Sequence, residues 1–356
     1  MRLDAGQAPR AGPSRGRSRR VPENLVIAAS TALYPLAMPH VVVTHWIHPE
    51  VAAFLAERAT LDANPSRATW TRSTLFRRLR DADAVMAFMP DRVDEDFLAA
   101  APRLRIVAGA FKGADNVDLT ACRRRGVRVT IVEDLLTAPT ADLALALLLA
   151  LTRNVLPGDR SVREPGYAGW RPVLYGAGLA GRTVGVLGFG RLGRAIARRL
   201  AAFDAVVRFH DPAVRDDARA AALGELLASS DHLVLAAPLV PATLHVLDAA
   251  GLGKLRPGAH LVNVGRGSVV DEEAVAAALA SGRLAGYAAD VFEFEDLSRD
   301  GRPRGIPASL LAFPDRTVFT PHLGSAVDDV RREIALSAAR SIVDVLEGHE
   351  PRGAIA

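Results

Sequence analysis

Lys112, Arg266, Asp290, Glu295 and His322 are residues of the types that move a hydride and a proton. An arginine in a glycine turn, Val264-Gly-Arg-Gly267, can grip an anion with two guanidinium prongs. A histidine trades a proton near neutral pH, and a carboxylate beside it fixes which ring nitrogen carries that proton. Singly, each has a plainer reading. Arginines in glycine turns are commonly solvated, Glu295 stands among acidic neighbours, and a histidine after proline is commonly a turn residue. They gain meaning from residues 183–194, where Gly188, Gly190 and Gly193 stand in Gly-x-Gly-x-x-Gly spacing. The apolar, β-branched run 183–187 predicts a buried strand, and residues 192–203 have helical periodicity. In that setting Gly188 makes the tight turn, Gly190 admits a pyrophosphate to the backbone, and Gly193 lets the helix pack on the strand. The helix N-terminus offers its N–H groups to the phosphates. A second strand, 206–210, ends at Asp211, about 20 residues past the glycines, where a carboxylate binds ribose hydroxyls and repels a 2′-phosphate. The expected cofactor is therefore NAD rather than NADP.

Such groups must be carried by strand ends, and the rest of the chain supplies strands. At 356 residues it is long enough for two cores. A single cysteine, Cys122, rules out a disulfide framework and reads as core filler. The longest apolar run, 143–151, is too short to span a bilayer. No His/Cys/carboxylate cluster has metal-ligand spacing, so no metal is expected. The formal charge of +4 lies wholly in residues 1–37, which hold six arginines against Asp4 and Glu23, so nucleic-acid binding by the folded body is rejected. Lysine occurs only at 112 and 254, whereas arginine supplies 42 cations. A lysine kept in such a chain marks a position where a compact, titratable amine is wanted.

In chain order, residues 1–24 read as disordered and Met38 as the true start, with a twin-arginine leader as a weaker alternative. Strands are expected at 39–44, 84–88, 104–108 and 127–131, with a helix at 48–58. A helix at 139–155, apolar on nearly every face, is expected to be buried all round, followed by an irregular loop over 156–179. Beyond the glycine motif, strands are expected at 232–236, 260–264, 286–289 and 317–320, a helix at 272–280, and a last long helix at 326–346 that returns to the first sheet. Alternating strands and helices imply parallel sheets, so the fold class is α/β. Lys112, Arg266, Asp290 and His322 all follow strands, where clefts of such sheets form.

This order resembles the D-isomer-specific 2-hydroxyacid dehydrogenase family from about Met38 onward. The resemblance rests on the glycine motif, Asp211, Pro238-Leu-Val-Pro-Ala-Thr243, Asn263-Val-Gly-Arg-Gly-Ser-Val-Val-Asp-Glu272, Ala288-Ala-Asp-Val-Phe292 and Thr320-Pro-His-Leu-Gly-Ser325. It implies two Rossmann-like parallel-sheet domains, with the NAD-binding domain (139–323) inserted into a discontinuous flavodoxin-like substrate domain (38–138 plus 324–356). It also implies a homodimer, a cytoplasmic setting and a catalytic set of Arg266, Glu295 and His322. Cofactor contacts are expected at Thr140, Gly188, Gly190, Arg191, Leu192, Gly193, Asp211, Pro238, Thr243, Val264, Gly265 and Asp290.

Within the family, the chain is similar to the phosphite (phosphonate) dehydrogenases, through Met86-Ala-Phe-Met-Pro-Asp-Arg-Val93, Phe111-Lys-Gly-Ala-Asp-Asn116 and Gly169-Trp-Arg-Pro-Val-Leu-Tyr-Gly-Ala-Gly178. That resemblance implies that Lys112 joins the catalytic set and that Met89, Trp170, Tyr175, Ser325 and Arg331 surround it. Arg266 with Lys112, and with Arg331, suits the phosphite dianion. The expected reaction is oxidation of phosphite to phosphate, with hydride passing from phosphorus to NAD and water attacking phosphorus. His322 is the first choice of base, with Arg331 or Lys112 left open. Two alternatives stand beside it: a D-2-hydroxyacid dehydrogenase or glyoxylate/hydroxypyruvate-type reductase, and an NAD-sensing corepressor-like protein.

Overall fold

Strands and helices alternate through residues 38–132 and 134–356, which are the residues that this computed structural model describes. The expectations for residues 1–37 lie outside them. The chain runs β1 (His40–Val43), α1 (Pro49–Ala56), β2 (Thr60–Ala63), α2 (Arg72–Leu79), β3 (Ala84–Ala87), α3 (Glu95–Ala100), β4 (Ile106–Gly109), α4 (Leu119–Arg124) and β5 (Arg128–Thr130). These strands form a parallel sheet in the order β2-β1-β3-β4-β5, the flavodoxin-like order. β3 and β4 are buried at every position, so they read as unbroken apolar runs. β2 was not expected. It pairs only with β1, is half-buried, and carries Asp62, so it has no apolar run.

Next come α5 (Thr137–Thr152) and α6 (Val155–Arg163), then β6 (Thr183–Leu187), α7 (Arg191–Ala201), β7 (Val206–His210), α8 (Leu223–Ser229), β8 (His232–Leu235), α9 (Ala249–Gly253), β9 (Ala259–Asn263), α10 (Glu272–Ala280), β10 (Leu284–Ala289), α11 (Ala308–Leu311), β11 (Thr317–Phe319) and α12 (Asp328–Leu346). The second sheet is parallel throughout, in the order β11-β10-β9-β8-β6-β7. Its order reverses between β6 and β8, which places a ligand crevice beyond the end of β6. α12 packs on β3, β4 and α1, so the last helix does return to the first sheet. The chain is thus two parallel-sheet α/β domains, the second Rossmann-like.

Two expectations are corrected between the sheets. α5 is not buried on all sides: Ala141, Ala144, Leu145, Leu148 and Leu151 pack into the core, but Asp142 and Ala146 face out. The stretch read as wholly irregular opens with α6, whose Pro157 falls in the first turn, where no N–H is needed. Cys122 is fully buried, and burial pushes its thiol up to about 11, in keeping with core filler. No single helix among the described residues is long and apolar enough to cross a membrane.

One pair of core residues makes stability depend on pH. His232 in β8 and His260 in β9 are register partners with rings 5.2 Å apart, and both Nδ1 atoms are buried without a hydrogen-bond partner. Burial pulls both imidazoles down, His260 to about 4 from 6.5. The unfolded chain therefore takes up protons below 6.5 that the native state refuses until about 4. Stability is complete above that window and falls as pH drops through it. Between pH 7 and 4.5 the urea midpoint should fall by the equivalent of roughly 2 kcal/mol from His260 alone. His260→Phe should flatten that slope; an unchanged slope would show that the pair is not the source.

Candidate active site

The ends of β9, β10 and β11 meet in one place, and each turn is shaped by a buried polar residue. After β9, Asn263 is fully buried; its Nδ2 donates to the Arg266 carbonyl (2.9 Å) and its Oδ1 accepts from the Gly265 N–H (3.1 Å). That turn projects Arg266, whose Nε donates to Asp115 Oδ2 at 2.5 Å and whose Nη1 donates to the Gly265 carbonyl at 2.9 Å. Asp115 lies in the loop after β4 that also carries Lys112, so this ion pair ties the two sheets together across the cleft.

After β10 comes Asp290, 2% exposed. Its Oδ1 accepts from Thr320 Oγ1 and from the Leu323 N–H, both at 2.6 Å, and its Oδ2 accepts from the Gly324 N–H at 2.8 Å. Burial pushes this carboxyl above its ordinary range. The loop it holds contains His322, at φ +56°, a left-handed conformation uncommon outside glycine. Strain of this kind persists only where surroundings impose it; here the His322 N–H also donates to the Asp290 carbonyl at 2.9 Å. Nδ1 of His322 lies 2.7 Å from Glu295 Oε2. A carboxylate only accepts, so Nδ1 carries the hydrogen and Nε2 is left to exchange protons.

Two adjoining cavities of about 400 and 760 Å³ share Met89, Asp115, Arg266, His322, Ser325 and Arg331 as walls. The smaller is also lined by Lys112, Thr140, Gly190, Arg191, Leu192, Pro238, Val264, Gly265 and Asp290, and the larger by Glu295. Arg331 reaches in from α12, donating to the Ala110 carbonyl and to Ser325 Oγ, both at 3.3 Å, and burial pulls it below the usual guanidinium range. The expected catalytic set is therefore brought together around one cleft.

The glycine turn fits a dinucleotide. Gly188 has φ +90°, and a Cβ on Gly193 would stand 2.1 Å from the Gly188 carbonyl oxygen. A Cβ on Gly190 would meet nothing within 4 Å, so the cavity floor there is bare backbone at the N-terminus of α7. β6 and β7 end level, with Leu187 opposite His210, and Asp211 Oδ2 accepts from the Phe189 N–H at 2.7 Å. Asp211 is thus fixed beside the turn.

Some expected contacts are not on the cavity wall. Gly188, Gly193 and Asp211 shape the turn from behind, and Thr243 braces its own loop, its Oγ1 donating to the Pro238 carbonyl at 2.6 Å. Asp290 reaches the wall, but all of its hydrogen bonds go to the His322 loop and to Thr320. Trp170 and Tyr175 are 82% and 77% exposed and line neither cavity of this chain, because the segment after α6 runs over its surface. Asp115 was missed, although it lies three residues past Lys112; nothing local to that loop announces a partner 151 residues away.

Residues 145–324 match the family described as D-isomer specific 2-hydroxyacid dehydrogenase, NAD binding domain. The chain belongs to the D-isomer-specific 2-hydroxyacid dehydrogenase family. It is 35% identical over 324 residues to the glyoxylate reductase of Pyrococcus furiosus, covering 88% of this chain and 94% of that one. Among solved structures it resembles a protein from Thermus thermophilus (TM-score 0.81, 36% identity, 89% of this chain and 100% of that one). It also resembles the NADPH-dependent glyoxylate/hydroxypyruvate reductase of Sinorhizobium meliloti in complex with NADP and malonate (TM-score 0.76, 30% identity, 90% and 97% covered). The chain is an NAD(P)-dependent oxidoreductase of this family, and NAD is its cofactor.

The Pyrococcus and Sinorhizobium relatives overturn the expectation of phosphite oxidation, since both are named for glyoxylate reduction. The count of cations that pointed to a dianion left out Asp115, whose carboxylate sits on Arg266, and Arg191, which lines the same cavity. Replacing Asp211 with alanine should raise kcat/KM with NADPH relative to NADH by about tenfold or more, because the repulsive carboxylate is gone. An unchanged ratio would remove Asp211 from cofactor choice.

Proposed function

We propose that this chain is an NAD-dependent reductase of small 2-oxo acids, of the glyoxylate and hydroxypyruvate type, acting in reverse as a D-2-hydroxyacid dehydrogenase. The observation that carries this reading is the His322–Glu295 pair, which shares a cleft with Arg266 beside the glycine turn. Arg266 holds the substrate carboxylate, in competition with Asp115. Lys112, on the same wall, places a second cation near the carbonyl oxygen as that oxygen gains negative charge. When bound, the reduced nicotinamide supplies the hydride that reaches the carbonyl carbon. His322 donates its Nε2 proton to the resulting oxygen, and Glu295 stabilises the imidazolium that exists beforehand and holds the ring in place. Arg331 keeps its proton and serves as wall and charge. Residues 139–323 would then be the NAD-binding domain, and residues 38–138 with 324–356 the substrate domain.

We also assign a homodimer. Val155, Leu156, Val162, Tyr167, Trp170, Val173, Leu174 and Tyr175 expose an apolar stretch along α6 and the chain after it, of the kind a second copy covers. A cytoplasmic setting, where reduced nicotinamide is at hand, belongs to the same reading.

The first test is NADH consumption with glyoxylate and hydroxypyruvate. Reduction of either supports the reading; no turnover of any 2-oxo acid would overturn it. His322→Asn should lower kcat by about 10²- to 10⁴-fold with little change in KM. Arg266→Ala should act chiefly through KM for the 2-oxo acid. If His322→Asn kept more than about a tenth of kcat, the proton would have to come from elsewhere.

A further inference from the structure

Around the Glu295 turn lies a cluster of buried acids that the mechanism above does not use, one of which, Asp296, reaches the wall of the larger cavity. Glu272 opens α10 and is fully buried; Glu293 and Asp296, 6% and 4% exposed, flank Glu295 in the turn after β10. Glu272 and Glu293 are bonded reciprocally. The Glu272 N–H donates to Glu293 Oε1 at 3.0 Å, and the Glu293 N–H donates to Glu272 Oε1 at 2.9 Å. Asp296 Oδ2 accepts from the Ser268 N–H at 2.8 Å. Arg299 adds two more links, to Ser268 Oγ at 2.5 Å and to Glu293 Oε2 at 3.0 Å. Gly267 is pressed so closely on this turn that a Cβ there would stand 1.9 Å from the Phe292 carbonyl carbon.

All of these links but the Arg299–Glu293 bond, which lies within the second, join the same two segments. One is 266–272, which begins with Arg266. The other is 292–299, which contains Glu295, the partner of His322. Simple packing would need fewer of them, and burying three carboxyl groups is costly unless each is bonded. We propose that Glu272, acting with Glu293, is a positioning residue that locks the Arg266 turn to the Glu295 turn and so sets the spacing at which Arg266 and His322 meet the substrate. Neither glutamate touches the reacting atoms. The catalytic consequence rests on the 2-oxo acid reductase reading; the mechanical lock does not.

The lock has a protonation state. Glu272 Oε2 is buried without a hydrogen-bond partner. Burial, then the neighbouring Glu293, Glu295 and Asp296 carboxylates, push the Glu272 carboxyl up to about 7 from 4.5, against the lowering effect of the Glu293 N–H. The basic groups on Glu293 are Arg299 and His245, both at Oε2, the far side from Glu272; Arg266 acts on Asp296, and the buried Tyr287 hydroxyl of β10 is the further titratable group near Glu272. Because the native state keeps a proton that the unfolded chain releases at 4.5, the lock is tightest below 4.5, weakens as pH rises from there to about 7, and changes no further above it.

The test uses the full chain with NADH bound. Hydrogen exchange of amides 265–270 and 292–297 is followed from pH 5 to 8 in wild type, Glu272→Gln and Glu272→Ala, with kcat and KM in parallel. Glutamine keeps the acceptor and cannot ionise. The expected result for wild type is exchange in both segments that accelerates together as pH rises toward about 7, beyond the intrinsic pH dependence of amide exchange, and levels off above it. Glu272→Gln should remove that excess while keeping kcat within about twofold, and Glu272→Ala should lose about tenfold in kcat and exchange fast at every pH. Equal exchange in wild type and Glu272→Gln across the range would overturn the proposal. So would a folded Glu272→Ala with wild-type kcat. If Glu272→Ala fails to fold, the glutamine comparison still decides. If wild type reduces no 2-oxo acid, the functional reading falls while the exchange comparison continues to judge the lock.

Discussion

The carboxylate of Asp290 is the point from which the catalytic geometry is set. Three donors converge on it, two of them backbone amides of the loop that follows a different strand. A carboxyl group this deeply buried would be costly without them. With them it fixes a loop in which a histidine takes a left-handed backbone conformation. In that conformation the ring comes within 2.7 Å of Glu295. Removing Asp290 would cost more than three hydrogen bonds, because the strained turn at His322 would relax toward ordinary backbone angles and carry the imidazole away from its partner. His322 is therefore held in place by a residue that shares no bond with its side chain.

Charge in this cleft is balanced, not merely summed. Lys112, Arg191, Arg266 and Arg331 all line the smaller cavity. Asp115 alters that sum. At 2.5 Å from Arg266 Nε it offsets one positive charge and pre-orients the guanidinium, at the cost of competing with any incoming anion. The same ion pair crosses from one sheet to the other, so the arginine turn after β9 is tied to the loop after β4.

How much of this could be read in advance follows from where each signal is stored. The glycine turn, Asp211, Arg266, Glu295 and His322 were legible because each sits at a fixed offset from a strand end, and parallel strands stop at a common edge. β2 was not legible, because an edge strand with an aspartate in its middle lacks a buried strand's pattern. α6 was hidden by Pro157 and Gly158, whose ordinary meaning is a break but which the first turn of a helix tolerates. Asp115 and Glu272 were present in quoted motifs, yet their roles come from partners on other elements, and no local pattern encodes a contact across 151 residues. Trp170 and Tyr175 lie off the cavity walls for a different reason: a matching motif fixes residue type, not where a surface segment runs.

The scarcity of lysine had a structural cause that composition could only hint at. Arg105 reaches from the first sheet to the end of α12, donating to the Val345 carbonyl at 2.6 Å and the Leu346 carbonyl at 3.4 Å. Arg316 divides its donors among the carbonyls of Leu279, Leu284 and Ala285. These are groups left over at helix ends and strand starts, and a planar fork satisfies several of them at once where an ammonium has no matching geometry. Arginine is thus used as an adhesive for backbone carbonyls, not merely as a surface cation. Of the two lysines, Lys254 simply ends α9 at the surface. Lys112 alone lies on the wall of the cleft, at a position where a compact amine on a flexible stem stands in place of a rigid fork.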